Sequence, residues 1–332
     1  MMNDLISIRN LKVELMSVHG LISAVRSINL SIAPGEILGI VGESGCGKSM
    51  TAKSILRLHD ESKTSFSGEI IFDGQKDILK MNKKELKQIR GKEISMIFQD
   101  PMTTLNPLQR IGNQIMEMFQ LHTDYSNAEA KRRSIELLEH VGILPGADRY
   151  NQYPFELSGG MLQRASIAMS LACNPRLLIA DEPTTALDVT MQVQILELLK
   201  RLQKELQSSI LLITHNFGVI AEFCDRVSVM YAGQIVETGD VREIFHKPCH
   251  PYTRDLINSI PKSGARGTDL VSIPGAPPQL NQPIIGCSYA PRCGKANERC
   301  FRKPPETKKI SDSHEYVCYL DDDGYMNDEV SL

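Results

Sequence analysis

An excess of positive charge is missing from this sequence. Its 332 residues carry 37 Lys and Arg against 40 Asp and Glu, a formal net charge of −3 and a pI near 6.3. The electrostatic footprint of a nucleic-acid binder is therefore missing. Long apolar runs are missing too: no stretch approaches the roughly 20 residues that cross a bilayer. The N-terminal MMNDLISIRN has no basic patch leading into an apolar core, so no secretory signal is visible. The expected compartment is the reducing cytoplasm, where structural disulfides are rare. The eight cysteines form no C-x2–4-C hook of the kind zinc ribbons use. There is no long internal repeat.

What is present is ordinary globular material, 42% hydrophobic and 23% charged. The length suits one large domain with a smaller one, or two of average size. The first segments alternate as β structure: ISIRNLKVEL places Ile6, Ile8, Val13 and Leu15, and SINLSIAPGEIL places Ile28, Leu30 and Ile32 before the Pro34-Gly35 turn. SGEIIFDGQ is a further short strand. From about residue 105 to 150 the period becomes helical, through Ile111, Ile115, Met118 and then Ile135, Leu138, Val141. RLLIADEP reads as a buried strand, TMQVQILELLKRLQKEL as an amphipathic helix, and SILLITH as another strand. This alternation predicts an α/β fold with a mostly parallel sheet. After about residue 260 the proline-rich SIPGAPPQLNQP leads as a linker to the cysteines, and DDDGYMNDEVSL closes the chain as an acidic tail expected to fray.

Three stretches carry chemistry. EILGIVGESGCGKSMTAKSIL runs from an apolar strand through a glycine-rich turn into a helix, and GESGCGKS fits G-x-x-x-x-G-K-[ST] with Gly42, Gly47, Lys48 and Ser49. Glycines at those places let backbone N–H groups turn toward phosphate oxygens, while the helix N-terminus adds its positive end. Lys48 is the candidate for the β- and γ-phosphates and Ser49 for Mg²⁺. Gly42, Ser44, Gly45, Gly47, Lys48, Ser49 and Met50 make up the candidate nucleotide-binding set, with Cys46 as a small filler. In LLIADEP, Asp181 ends a buried strand where it can hold the metal through water, and Glu182 is placed to act as general base on the attacking water. His215 ends SILLITH as a candidate γ-phosphate sensor.

The stretch ELSGGMLQRASIAMSLACNP narrows the reading. Ser158-Gly159-Gly160 before a helix is a second anion cradle, and it resembles the signature motif of ABC-type ATPases. Gln99 in MIFQDP resembles the family's Q-loop, Asp188 in TTALD its D-loop, Asp181 and Glu182 its Walker B and His215 its switch histidine. The resemblance implies an ABC-type P-loop ATPase core with an antiparallel β subdomain and a helical subdomain. It also implies that Gln99 acts as catalytic residue, Mg²⁺ ligand and nucleotide contact, with Ser49 and Asp181 as further Mg²⁺ ligands. In the family two ATPase subunits pack head to tail, so Ser158, Gly159 and Gly160, with Asp188, would serve the ATP held by the partner. The family's adenine-stacking aromatic falls near Leu15, with His19 a little further on, and neither supplies the usual ring. Met161 stands where the signature usually has glutamine, as in the peptide-importer branch.

GIVGESGCGKS, IFQDPMTTLNP, ELSGGM, IADEPTTALDVT and HPYTRDLINSIP are similar to the D-type ATPases of dipeptide and oligopeptide importers, from about residue 5 to 320. That resemblance implies domains at 1–260 (ATPase, with helices at about 100–165) and 261–320 (extension), and then the tail 321–332. It implies ATP and Mg²⁺ as ligands, and a second, different ATPase subunit. Two transmembrane permeases, an extracytoplasmic peptide-binding protein and a place at the cytoplasmic face of the cell membrane follow from it as well. A nickel or metallophore importer is the alternative, followed by a soluble non-transport ABC ATPase. An inactive scaffolding subunit would show damage to Walker B or the signature, and both are intact apart from Met161.

Cys287, Cys293, Cys300 and Cys318 are spaced C-x5-C-x6-C-x17-C. Soft thiolates at such spacing suit an iron–sulfur cluster or zinc, or remain idle. The resemblance to the importer branch implies a [4Fe–4S] cluster, with zinc as the alternative. Cys173, Cys224 and Cys249 are expected to pack as ordinary thiols.

Overall fold

The computed structural model describes residues 4–18, 20–185, 187–260 and 272–320. His19, the acidic tail 321–332 and the first part of the expected extension, 261–271, lie outside the described residues. The chain divides into two compact units. One comprises Met1–Leu5, Ile32–Glu36 and Lys80–Ile213, the other Ile6–Ser31, Ile37–Leu79 and Thr214–Leu332.

In the first unit the strands Ile94–Ile97, Leu177–Asp181 and Ser209–Thr214 pair in parallel in that order. Every residue of the three is buried, as a sheet covered on both faces requires, which is why they read as continuous apolar runs. The amphipathic helix Val189–Leu206 buries Ile195, Leu198, Leu199 and Leu202. These are the positions of one helical face, and Asp188 caps it by accepting the Met191 N–H at 2.9 Å. The expected helical stretch is present as Pro101–Thr104, Ile111–His122, Asn127–His140, Gly146–Tyr150 and Gly159–Leu171.

The second unit contains two sheets. Ile6–Ser17 pairs antiparallel with Thr64–Phe72, Ile6 opposite Phe72, with a register shift between Arg9 and Lys12. The order Gly20–Ile32, Ile6–Ser17, Thr64–Phe72, Lys76–Asp77 makes the expected antiparallel β subdomain. In the other sheet Ile37–Val41 pairs in parallel with Arg226–Tyr231, which turns through Ala232-Gly233 into the antiparallel strand Gln234–Asp240.

The cysteine-bearing segment extends this second sheet, a feature that the sequence did not suggest. Glu315–Tyr316 pairs with Gln234–Asp240, and Lys308–Lys309 pairs with Glu315–Tyr316. The buried Glu237 carboxylate anchors the return. It accepts the N–H of Cys249 at 2.6 Å, the N–H of His250 at 2.9 Å and a bond from His314 Nε2 at 2.8 Å. A fully buried carboxylate needs such donors. Cys249 completes this group as a possible metal-holding trio, but the carboxylate already has three donors and the arrangement works as an internal brace.

Candidate active site

The glycine-rich turn begins where Ile37–Val41, buried at all five positions, leaves its sheet. Its glycines are needed for two different reasons. A Cβ on Gly42 would lie 2.1 Å from the carbonyl oxygen of Met230, so close backbone approach demands glycine there. Gly47 combines a φ of +109° with a Cβ position 2.5 Å from the Ala24 carbonyl oxygen. It enters the helix Lys48–Ile55 as an N-cap without a side-chain bond, leaving the first-turn N–H groups to other acceptors.

Lys48 is 5% exposed and turns back over this loop. Its Nζ donates to the carbonyl oxygens of Gly42 at 2.7 Å and Glu43 at 2.9 Å, with Cys46 Sγ at 3.8 Å. A buried ammonium held by two carbonyls stands at the uncapped start of a helix, and the chemistry of that donor set fits phosphate. Ser44 and Gly45 are exposed on the rim, while Ser49 and Met50 are half-buried at the start of the helix. Cys46 is buried and its thiol pKa is raised, chiefly by burial, in keeping with a filler.

A carboxylate-bearing group is built in the first unit. Asp181 closes Leu177–Asp181 and is 4% exposed. Glu182 follows in the left-handed region at φ 47°, its N–H donating to the Ile213 carbonyl at 2.9 Å. That conformation costs a non-glycine residue energy and turns the chain sharply out of the strand. The Glu182 Oε2 accepts the amide of Gln99 at 3.0 Å and the hydroxyl of Thr185 at 2.9 Å. The structure thus brings Gln99, just beyond Ile94–Ile97, onto the candidate general base. Buried Asp181 and its oxygen-bearing neighbours are hard ligands of the kind Mg²⁺ takes.

Ser158 caps the helix Gly159–Leu171 by accepting the Met161 N–H at 3.4 Å, and both Ser158 and Gly159 are exposed. Nothing lies within 4 Å of a Cβ built on Gly159, so this glycine is not demanded by its own chain. Asp188 is likewise exposed. His215 is exposed just past Ser209–Thr214. Leu15, near the expected adenine position, is half-buried in Ile6–Ser17.

Two residues at the phosphate-binding loop had no role in the sequence reading. The hydroxyl of Tyr252 accepts the Glu43 N–H at 2.9 Å, and Arg292 forms a two-point ion pair with the Glu43 carboxylate at 2.6 and 3.0 Å. Tyr252 lies in HPYTRDLINSIP and Arg292 directly before Cys293, but no local signal connects either to Glu43.

Residues 25–185 match the ABC transporter family, and residues 236–300 match the oligopeptide/dipeptide transporter C-terminal region. The oligopeptide transport ATP-binding protein OppD of Bacillus subtilis is 51% identical over 95% of this chain and 88% of its own length. OppD of Salmonella typhimurium is 46% identical over 91% of this chain and 90% of its own. Among solved structures, a dimeric ATP-binding cassette in a post-hydrolysis state with ADP and Pi superposes with a TM-score of 0.64 at 29% identity. That match covers 71% of this chain and 99% of the cassette.

These comparisons correct the [4Fe–4S] assignment of Cys287, Cys293, Cys300 and Cys318. Relatives matching 95% of the chain are described as ATP-binding proteins of peptide transport, and ATP is the one ligand those descriptions supply. All eight cysteines are free thiols. The four in question line one small cavity of ≈ 20 Å³ with His250 and Tyr289. Burial raises the thiols of Cys287, Cys293 and Cys318, the last to about 11. The zinc alternative fares no better on geometry. Zn–S bonds near 2.3 Å put tetrahedral ligands about 3.8 Å apart, yet among the described residues no three of these sulfurs lie within 4.8 Å of one another.

The glycine-rich loop, the buried strand ending in Asp181-Glu182, the exposed Ser158 turn and identity along nearly the whole length agree, and the chain belongs to the ATP-binding proteins of the oligopeptide/dipeptide ABC transporter family.

Proposed function

We propose that this chain hydrolyses ATP to energise the import of dipeptides and oligopeptides through a membrane ABC transporter. The observation that carries this reading is the match over 95% of the chain to an oligopeptide transport ATP-binding protein, together with the peptide-transporter C-terminal region at 236–300. That region favours peptides over nickel or metallophores, and over a soluble role outside transport.

In this reading Lys48 binds the β- and γ-phosphates, the loop N–H groups from Gly42 to Ser49 orient them, and Met50 lies at the edge of the same nucleotide contact. Ser49, Gln99 and Asp181 are the proposed holders of Mg²⁺, which when bound supplies charge neutralisation on the phosphates. Glu182 accepts the proton of the attacking water, and His215 reads the γ-phosphate. Ser158, Gly159, Gly160 and Asp188 would act on the nucleotide of a second ATPase subunit. The exposure of Ser158 and Gly159 supports such a use, as does the dimeric state of the solved cassette. The second ATPase subunit in this reading is a different chain, as the family pattern implies.

Two permeases and an extracytoplasmic peptide-binding protein complete the proposed assembly, which places the chain at the cytoplasmic face of the membrane. No helix among the described residues is long and apolar enough to cross one; attachment through the permeases is part of the proposal. The segment at about 100–165 is the proposed contact. It exposes Met102, Leu108 and Phe155 at 53%, 86% and 69%, large apolar side chains that a partner would cover. The domains 1–260, 261–320 and 321–332 are kept as proposed boundaries.

Deleting the gene and measuring uptake of a radiolabelled tripeptide and of nickel in parallel tests the substrate class. Loss of peptide uptake with nickel uptake intact is expected. The reverse pattern would establish the metallophore alternative.

A further inference from the structure

The tail that failed as a metal site has another connection. Arg292 sits in a short 3-10 turn, Ala290–Arg292, between Tyr289 and Cys293. It reaches a residue 249 positions earlier in the chain. Its side chain is 3% exposed, and each of its five N–H donors has an acceptor. Nε donates to the Pro274 carbonyl at 2.8 Å. One terminal nitrogen donates to Glu43 Oε2 at 2.6 Å and to the Tyr231 hydroxyl at 3.3 Å. The other donates to Glu43 Oε1 at 3.0 Å and to the Ile273 carbonyl at 3.3 Å. The guanidinium also lies 5.8 Å from the ring centres of both Tyr231 and Tyr289. A guanidinium satisfied at every donor and faced by two rings has one position, and lysine could not reproduce it.

Glu43 is the first residue after Gly42 in the phosphate-binding loop, so holding it holds the loop. Its carboxylate is fixed by Arg292 and its N–H by Tyr252, while its carbonyl oxygen accepts the Lys48 ammonium at 2.9 Å. Tyr252 is fully buried among Tyr231 and Tyr289, with ring centres 4.5 and 5.2 Å away. A continuous packed and hydrogen-bonded path therefore runs from the cysteine-bearing tail to the phosphate-binding lysine.

We infer that Arg292 is a positioning residue for ATP: through Glu43 it pre-sets the phosphate-binding loop and Lys48, so that the C-terminal extension is part of the nucleotide site's support. The inference rests on the ATPase reading above. Preorganisation of this kind acts on affinity, because a loop that must be ordered on binding takes the ordering cost from the binding energy.

The test uses the assembled transporter with Arg292→Ala, Arg292→Lys, Glu43→Gln and the double variant Arg292→Ala/Glu43→Gln, measuring KM for ATP, kcat and thermal midpoint. Arg292→Ala is expected to raise KM about tenfold, or ~1.4 kcal/mol, with kcat changed far less. Arg292→Lys should fall in between, and the double variant should be no worse than Arg292→Ala because both remove one interaction. A folded Arg292→Ala whose KM stays within about twofold of wild type overturns the inference. If Arg292→Ala does not fold, Glu43→Gln decides alone, since it leaves the tail's own packing in place: a raised KM supports the tie and an unchanged KM overturns it. A wild-type assembly without ATPase activity would instead contradict the ATPase reading itself.

Discussion

The chain carries two glycine-bearing turns that each open a helix, and it treats them in opposite ways. The loop before Lys48–Ile55 is clamped from distant parts of the sequence: the Met230 carbonyl against Gly42, the Ala24 carbonyl against Gly47, Tyr252 and Arg292 on Glu43. The turn before Gly159–Leu171 has a local Ser158 cap and stands exposed at Ser158 and Gly159, with open space beside Gly159, while Gly160 packs against Met191, 2.2 Å from where a Cβ would lie. A loop closed in on all sides is built for a ligand that its own chain binds. An exposed cradle of this kind is open to a ligand or partner outside its own chain. The contrast separates Gly42 and Gly47, which the fold requires, from Gly159, which its own chain does not.

Substitutions can break or sharpen that contrast. Lys48→Ala should have the largest effect, removing the one buried ammonium of the loop and weakening ATP binding by about a hundredfold or more, in line with a charge-assisted phosphate contact. Equilibrium titration with a fluorescent ATP analogue measures it. Gly47→Ala comes next: the left-handed φ and the clash with the Ala24 carbonyl together should cost about 2–4 kcal/mol of stability, read from a denaturant midpoint. Gly159→Ala should leave the thermal midpoint of the isolated chain within about 2 °C of wild type, roughly the effect of a neutral surface change. The same substitution should lower ATPase of the assembled transporter about tenfold or more, as loss of a backbone-close anion contact would. An equal loss of stability at Gly47 and Gly159 would erase the distinction. Smallest of all, Cys46→Ala should cost about 1 kcal/mol, as for deletion of one buried sulfur, with ATPase near wild type; a larger loss of activity would give the thiol a role beyond filling.

What was legible in the sequence were features whose cause is local. Gly42 to Ser49 announce a phosphate loop because turn, lysine and helix start are contiguous. Leu177–Asp181 and Ser209–Thr214 announce buried strands because a sheet covered on both faces leaves no polar alternation. Gln99 and Glu182, 83 residues apart, were each singled out by the family resemblance, but no local signal showed the hydrogen bond between them. Arg292 on Glu43 had no such help: the pair is made by the way the tail returns along Gln234–Asp240, through two-residue strands too short to leave a pattern. The left-handed turn at Glu182 was equally invisible, since nothing in its side chain favours it. The cysteine spacing misled for the complementary reason. Four thiols around one cavity record where the tail folds, and spacing alone does not turn them into ligands.

The most direct test of the account is Glu182→Gln in the assembled transporter, with ATP binding and peptide-stimulated ATP turnover measured on the same preparation. The account predicts ATP affinity close to wild type and turnover lower by about two to three orders of magnitude, the scale of losing a general base. A variant that hydrolyses ATP at close to the wild-type rate would contradict it.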